Sequence, residues 1–492
     1  MFAAVDLGSN SFRLQIGEPA GGRMHIVRTA RDPIRLAAGL DQGNMLGEAA
    51  MRSAVRCLED FRVILDGYTL DAVRVVATNT LRVARNADVL LPQLERAIGH
   101  PVEVISGEEE GRLIYMGVAR ALEGATAKPD DRRLVVDIGG GSTEVIAAIG
   151  PDITLVESFG IGTHPQAAAF FADGRITAQR FDAAVTAARA RFEDAAGLYK
   201  AQGWDAAYAS SGTMRAIAEV VARNAIGDGG LSQASLRALR DILLELGHVD
   251  AFSLPGVKRE RVPAMVGGLT VMLGVMQELG IAELVAIDAG LRLGVLSDLE
   301  LRATRRDRRD AAIRACMRRF GVDSRRALRT ASIASQLVEK LEPGETSHPH
   351  LCWSAMLHEV GQAVSMTGAH KHGAYIVEHA DLPGFTTREQ RLMRTLVLGQ
   401  KGNLRKIRES LDDAGLARAV LALRMAVVCM HARADVDLGG VKLRMKPRME
   451  GTRIEIELPA ELLEKHPTLA PWLEKEEGAW GEVGVSFLAR VA

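Results

Sequence analysis

Residues 133–149 read RLVVDIGGGSTEVIAAI. A β-branched apolar run, Leu134–Val136, delivers Asp137 into Gly139, Gly140 and Gly141, with Ser142 and Thr143 behind them. A second β-like run, Val145–Ile149, follows at once. Two such runs joined by a glycine-rich corner predict a β-hairpin. Glycines at a corner leave backbone N–H groups open to an anion, because no Cβ blocks the approach. The acid beside that corner predicts a magnesium ion held against phosphate, directly or through water. Taken alone, the corner fits an ordinary tight turn equally well.

The start of the chain repeats the pattern. Residues 2–16 read FAAVDLGSNSFRLQI; Val5-Asp6-Leu7-Gly8 aligns with Val136-Asp137-Ile138-Gly139, and Ser11 with Ser142, at an offset of 131 residues. Two strand–Asp–Gly–Ser–strand hairpins at domain-sized separation predict a duplicated α/β unit with a cleft between the copies. Each copy then points a phosphate loop at one ligand. Paired loops of this kind resemble the actin-like, sugar kinase and Hsp70 ATPase superfamily, with its ribonuclease H-like fold. The expected divisions are two actin-like domains at 1–124 and 125–303, an all-α HD-like domain at 304–434 and a small α+β domain at 435–492.

Composition narrows the class. A chain of 492 residues with 47% apolar content holds several cores, and a net charge of −1 gives no global attraction to nucleic acid or membrane. The four cysteines are scattered without a CxxC, so neither a disulfide framework nor a zinc site is predicted. The N-terminus enters a strand without a basic or apolar leader, and no apolar run is read as a membrane span. The expected setting is reducing and cytoplasmic.

The chain supplies further candidates in order. The strand Ala72–Ala77 ends in Thr78-Asn79-Thr80-Leu81-Arg82, at the end of an open sheet where ligands bind. Arg82 there is either a clamp on phosphate oxygens or a solvated arginine. Ser106-Gly107-Glu108-Glu109-Glu110 opens a helix. Ser106 and Glu109 have capping-box spacing, whereas Glu110 shares a face with Leu113, Ile114 and Val118. A carboxylate on that apolar face has its pKa raised and suits a general base. Ser211, Gly212 and Thr213 follow the strand Ala206–Ala209 and begin a helix, whose N-terminus favours an anion. Residues 302–329 hold eleven arginines and three aspartates on a helical pattern. This is a solvated face or a track for a polyanion. His358-Glu359, with His370, His372 and His379, invites a metal reading, but hydrogen-bonded helix histidines are commoner than ligands.

In combination these motifs resemble the exopolyphosphatase and guanosine pentaphosphate phosphatase family over nearly the whole chain. The carriers are Asp6 to Ser11, Thr78 to Arg82, Ser106 to Gly111 and Asp137 to Glu144, while Ala355 to Gly361 resembles the long, four-domain members. The resemblance implies Glu110 and Glu144 as catalytic, and Asp6, Asp137 and Glu144 around a Mg²⁺ ion. It places Arg82 on the phosphate and makes Gly8, Ser9, Asn10, Ser11, Gly139, Gly140, Gly141 and Ser142 its cradle. It implies hydrolysis of a terminal phosphoanhydride of inorganic polyphosphate, releasing orthophosphate, by a homodimer. Guanosine pentaphosphate is the alternative substrate; a nucleotide-dependent kinase and a non-enzymatic polyphosphate-binding regulator are the rivals in other classes. Arg261-Val262-Pro263, Ala289-Gly290 and Gly399-Gln400-Lys401 depart from the family's usual pattern.

Overall fold

The computed structural model describes residues 1–21, 23–123, 130–303, 309–343, 348–431, 438–448 and 451–491, in two compact units, Met1–Asp307 and Arg308–Ala492. The first unit contains β1 (Phe2–Leu7), β2 (Phe12–Ala20), β3 (Arg23–Asp32), α1 (Glu48–Asp66), β4 (Ala72–Ala77), α2 (Asn79–Val83), α3 (Ala87–Ile98), β5 (Val102–Val104) and α4 (Gly107–Leu122). It continues with β6 (Arg132–Ile138), β7 (Thr143–Ile149), β8 (Asp152–Phe159), α5 (Thr163–Phe170), α6 (Ala178–Gln202), β9 (Ala206–Ser210) and α7 (Gly212–Arg223). The unit closes with β10 (Leu231–Ser232), α8 (Gln233–Leu246), α9 (Val262–Leu279), β11 (Glu283–Ala286) and α10 (Leu291–Ala303).

The strands form two sheets, ordered β3-β2-β1-β4-β5 and β8-β7-β6-β9-β11-β10. Each begins with two antiparallel pairs and continues with two parallel ones. The second sheet therefore repeats the five strands of the first and adds β10 at its edge, and the fold is the duplicated actin-like α/β architecture. The central strands β1 and β6 are buried nearly throughout, as expected of apolar runs covered on both faces. The parallel strands end at the corners that carry Asp6, Thr78, Asp137 and Ser210, so the topology gathers these residues at one end of each sheet.

Helix α9 amends the expectation about apolar runs. Its segment VPAMVGGLTVMLGVMQEL is long and apolar enough to cross a membrane, yet it is buried within the second half of the unit against α5, α6 and α7. A Cβ at Gly267 would lie 2.4 Å from the Thr163 carbonyl oxygen, and one at Gly274 2.5 Å from Ala188 Cβ. Close neighbours on several sides make this a core helix.

Helices α4 and α10 cross at closer range still. A Cβ on Gly294 would lie 1.7 Å from the Leu113 carbonyl oxygen, and one on Gly117 2.2 Å from the Gly290 carbonyl oxygen. Beside this crossing lies a buried ion cluster. Arg112 reaches Glu109 at 2.6 Å and Asp298 at 2.9 Å; Arg74 of β4 reaches Asp298 at 2.7 Å and Glu103 at 2.8 Å. The expected capping box is thus half formed. Ser106 Oγ accepts from the Glu109 N–H at 3.1 Å, but the Glu109 carboxylate turns to the two guanidiniums. Val295, Leu296 and Leu299 of α10 share a core with Phe2, Ala4, Val76, Ile105 and Leu113, so this last helix packs on the first sheet.

The second unit begins with helices at Arg309–Arg319, Ser324–Leu341, Pro349–Met356, Ala369–His379, Thr387–Gly399 and Ala414–His431. Strands Lys442–Arg448, Gly451–Leu458 and Ser486–Val491 follow, with helices Ala460–Lys465 and Leu469–Gly481 before the last. One hydrophobic core joins Leu337, Met425 and Val428 to Leu443, Ile456 and Trp480, so it spans the expected division at 434/435. Several arginines of residues 302–329 have internal partners. Arg302 pairs with Asp298 at 2.7 Å, Arg309 with Glu389 at 2.8 Å and Arg326 with Glu359 at 2.8 Å. Arg305, Arg306 and Arg308 lie outside the described residues. His358 Nδ1 faces the Ala355 carbonyl oxygen at 2.6 Å within its own helical turn.

The α4–α10 crossing yields a stability prediction. Gly294→Ala will destabilise the protein by about 3 kcal/mol or more, because a backbone carbonyl has nowhere to retreat. Gly197→Ala, in the exposed middle of α6 with open space around it, will stabilise by about 1 kcal/mol. Urea unfolding of both variants beside the parent checks the pair.

Candidate active site

Between the two halves of the first unit lies a cleft of 1010 Å³. Its walls bring together Asp6, Gly8, Ser9, Asn10, Ser11, Glu110, Gly139, Gly140, Gly141, Ser142, Asp137, Ser211, Gly212 and Thr213. Arg82 and Glu144 stand behind this lining. Arg82 donates to Glu110 Oε2 at 3.2 Å and to the Ile105 carbonyl at 2.8 Å, so its guanidinium steadies the glutamate. Glu144 is fully buried and accepts from Ser158 Oγ at 2.8 Å.

The two hairpin corners pack on one another. A Cβ on Gly140 would lie 3.0 Å from Ser9 Cβ, and one on Gly141 2.5 Å from Asn79 Oδ1. None of Gly8, Gly139, Gly140 and Gly141 has a positive φ; close approach of the facing corner is what demands glycine at the middle of the second hairpin. The Gly139 N–H closes its own corner on the Ser142 carbonyl at 2.9 Å. His164 Nε2 meets Asn10 Oδ1, and Thr80 Oγ1 donates to Ser9 Oγ at 2.8 Å, tying the corners to both lobes. Ser211 has φ 93°, in the region glycine prefers, and caps α7 through Met214 N–H at 3.2 Å. A strained backbone at this point costs on the order of 1–3 kcal/mol and is held by its surroundings.

Helix α4 carries Glu110 in its first turn, beside the cleft. The helix is buried on all sides from Glu109 to Val118, so an apolar face alone does not single out Glu110; its place at the cleft does. Glu108 is exposed, in keeping with a solvated helix start. Burial pushes the Glu110 carboxyl up to about 7, against the pull of Arg82 and with help from Asp6 and Asp137. Burial likewise raises Asp137 to about 6 and holds Glu144 well above the usual carboxylate range, the latter with help from Glu110. Asp6 is raised by burial against the pull of Arg292, which stands 3.5 Å away.

The carboxylates Asp6, Asp137 and Glu144, expected around one cation, do not close into a three-ligand cage: among the described residues no three His, Cys, Asp or Glu side chains are so grouped. Asp6 is turned to Arg292 and Glu144 to Ser158. Hard oxygen donors that suppress one another's ionisation suit a small divalent cation held by one or two carboxylates, with phosphate oxygens and water completing its shell.

Seven lysines and arginines of the lining lie outside the site residues expected from the motifs: Arg13, Arg31, Arg35, Arg215, Lys258, Arg261 and Arg292. Arg13 and Arg261 approach each other over Gly212, whose Cβ would lie 3.3 Å from Arg13 Nη2 and 3.6 Å from Arg261 Nη2. Burial first, then Arg292, lowers the Arg13 pKa to about 10. Register explains Arg13. It pairs with Asp6 across β1 and β2 as Glu144 pairs with Asp137 across β6 and β7. The same 131-residue offset that relates the aspartates relates Arg13 to Glu144.

Fold and cleft together define a two-lobed actin-like protein with an anion-attracting site between its lobes. Residues 16–303 match the model of the Ppx/GppA phosphatase family, and residues 308–477 match domain III of that family. The chain belongs to the Ppx/GppA phosphatase family. A solved structure of the PPX-GPPA enzyme of Aquifex aeolicus is 26% identical, with a TM-score of 0.51, covering 60% of this chain and 98% of that one. An exopolyphosphatase from Cytophaga hutchinsonii is similar in fold, at 24% identity and a TM-score of 0.54, covering 61% of this chain and 97% of that one.

A raised carboxyl has a definite sign in linkage. With a folded value of about 7 and an unfolded value of 4.5, Glu110 lowers stability progressively as pH rises between those values. Glu110→Gln will therefore be more stable than the parent above pH 7, by on the order of 1–3 kcal/mol, and nearly equal to it near pH 4.5. Unfolding in EDTA across pH 4.5–8 reads the difference.

Proposed function

We propose that this protein hydrolyses the terminal phosphoanhydride of inorganic polyphosphate, releasing orthophosphate. The observation that carries the reading is Glu110: a buried carboxyl held near neutral pKa at the edge of a cleft lined by seven basic residues. A base of that pKa is partly ionised at neutral pH and still takes a proton readily. In this reading Glu110 accepts a proton from a water as that water's oxygen attacks the terminal phosphorus. The P–O bond to the rest of the chain breaks, and the shortened chain leaves with its negative charge facing the arginines. Arg82 keeps Glu110 pointed inward, and burial together with Glu110 holds the neighbouring Glu144 carboxyl in its neutral form. The corner groups of Gly8 to Ser11 and Gly139 to Ser142, with the α7 start at Ser211 to Thr213, position the phosphoryl group.

Asp6 and Asp137, with Glu144 behind them, are the residues that would hold Mg²⁺. When bound it neutralises phosphate charge. Guanosine pentaphosphate is the second substrate of the same chemistry. Among the described residues lining the cleft none is Phe, Tyr or Trp, and the one ring among them, His164, is held against Asn10, which favours a polyphosphate over a substrate bearing a guanine base. The reading includes processive shortening by a homodimer in the cytoplasm, with the exposed Arg314, Arg318, Arg319 and Arg325 available to a long polyanion.

Purified protein with Mg²⁺ is expected to release phosphate faster from long-chain polyphosphate than from guanosine pentaphosphate. Glu110→Gln is expected to lower that rate by at least about 10³-fold while retaining polyphosphate binding. Turnover near the parent rate in the variant would remove Glu110 from the mechanism; preference for guanosine pentaphosphate would reverse the choice of substrate.

A further inference from the structure

The cleft that gathers cations also carries an exposed acid whose charge opposes them. Asp288 belongs to the lining and pairs with Arg215, yet its side chain is 82% exposed. Both partners stand on backbone that the second sheet fixes. The Ile287 N–H donates to the Ala209 carbonyl at 3.0 Å, and the Ala289 carbonyl accepts from Ser210 Oγ at 2.7 Å. Asp288 is thereby held from both sides at the end of β9. Arg215 lies in the first turn of α7, directly after the same strand, and its N–H donates to the Ser211 carbonyl at 3.2 Å. The parallel pairing of β9 with β11 therefore brings the two residues together. Neighbouring cleft arginines are engaged differently. Arg13 donates to Ser11 Oγ at 3.1 Å, Arg261 to the Gly212 carbonyl at 3.0 Å, and Arg292 faces Asp6. Glu219, one turn further along α7, is taken by Arg223 at 2.7 Å. Arg215 gives a terminal nitrogen, Nη1, to a carboxylate that is open to water.

We propose that Asp288 and Arg215 form a counterion gate that sets the specificity of the cleft: the carboxylate competes with a phosphate chain for the guanidinium, and the chain displaces it to bind. An acid that served to aim Arg215 would be buried with it, as Glu109 and Asp298 are with Arg112. An exposed ion pair is weak and exchanges readily. A phosphate group offers the guanidinium fork two oxygens and more charge than a carboxylate, so it wins the exchange. The cations around Arg215 favour the same outcome, since burial, then Arg31 and Arg215, lowers the Arg261 pKa. An anion that does not capture Arg215 meets the Asp288 charge and gains nothing in return. Specificity is built from such repulsive elements as well as from attractive ones. The inference rests on the reading of the cleft as a site for phosphate chains.

The test measures binding of tripolyphosphate with Mg²⁺ to the full chain carrying Glu110→Gln, so that the ligand stays intact. His164 lines the same cleft, and its ¹³C-labelled imidazole, followed by NMR and assigned through His164→Gln, reports on the cleft and not on anions bound elsewhere. Ionic strength is held constant. Asp288→Asn is expected to tighten binding on the order of fivefold. Arg215→Met is expected to weaken it about tenfold. In the Arg215→Met background, Asp288→Asn is expected to change the affinity by less than about twofold, because no guanidinium is left to compete for and an exposed charge is screened. Unchanged or weaker binding in Asp288→Asn, or an equal gain with and without Arg215, would overturn the gate and leave the reading of the cleft standing. A His164 signal that tripolyphosphate moves in none of the four forms would remove that reading, and this inference with it.

Discussion

The first unit depends on the contact of α4 with α10. Helices normally stand 8–10 Å apart, separated by side chains. Here Gly117 and Gly294 remove the side chains at the crossing, and backbone meets backbone. Two groups of the site ride on these helices: Glu110 at the start of α4, and Arg292 at the start of α10, facing Asp6. The Arg74–Arg112–Glu109–Asp298 cluster locks the same pair of helices to β4. A buried cluster of this kind adds little net stability, but removing one member leaves an uncompensated charge. Its role is to fix register, so the separation of Glu110 from the cation that faces Asp6 is a property of helix packing.

The cleft holds two opposed electrostatic tendencies. Four carboxylates, Asp6, Glu110, Asp137 and Glu144, have their pKa raised by burial, with neighbouring acids adding to the rise at Glu110, Asp137 and Glu144, while arginines from both lobes line the cleft. Neither set is stable alone in a poorly hydrated space. A ligand that brings negative charge to the arginines, with a cation for the acids, relieves both. The strained backbone of Ser211 and the packed corners at Gly140 and Gly141 keep the walls from rearranging to relieve the tension internally.

Much of this was legible in the sequence for local reasons. The runs Ala72–Ala77 and Leu134–Ile138 announce buried strands, and the aspartate–glycine corners mark the end of each sheet where the cleft lies. Glu110 was legible as well, though by an argument from helix face that α4, buried on all sides from Glu109 to Val118, does not sustain. What escaped depends on tertiary context. Helix α9 is apolar on every side and has no period to read. The partners of Glu109 come from β4 and α10, too distant in sequence for the capping-box spacing to anticipate. Arg13 sits on a strand whose alternation says nothing of function, although the internal repeat carried the signal. The core shared within the second unit joins helices to strands by contacts that composition does not reveal.

The unequal cross-strand pairs have a geometric consequence. Two identical halves would give the cleft an approximate two-fold axis, and a ligand lying across it would meet the same groups from either direction. Asp6–Arg13 on one side and Asp137–Glu144 on the other break that equivalence at one position of the repeat. One hairpin presents an acid with a cation, and the other an acid with an acid. The cleft thereby acquires a sense of direction, with a head and a tail, from a divergence between strands that match in order and register.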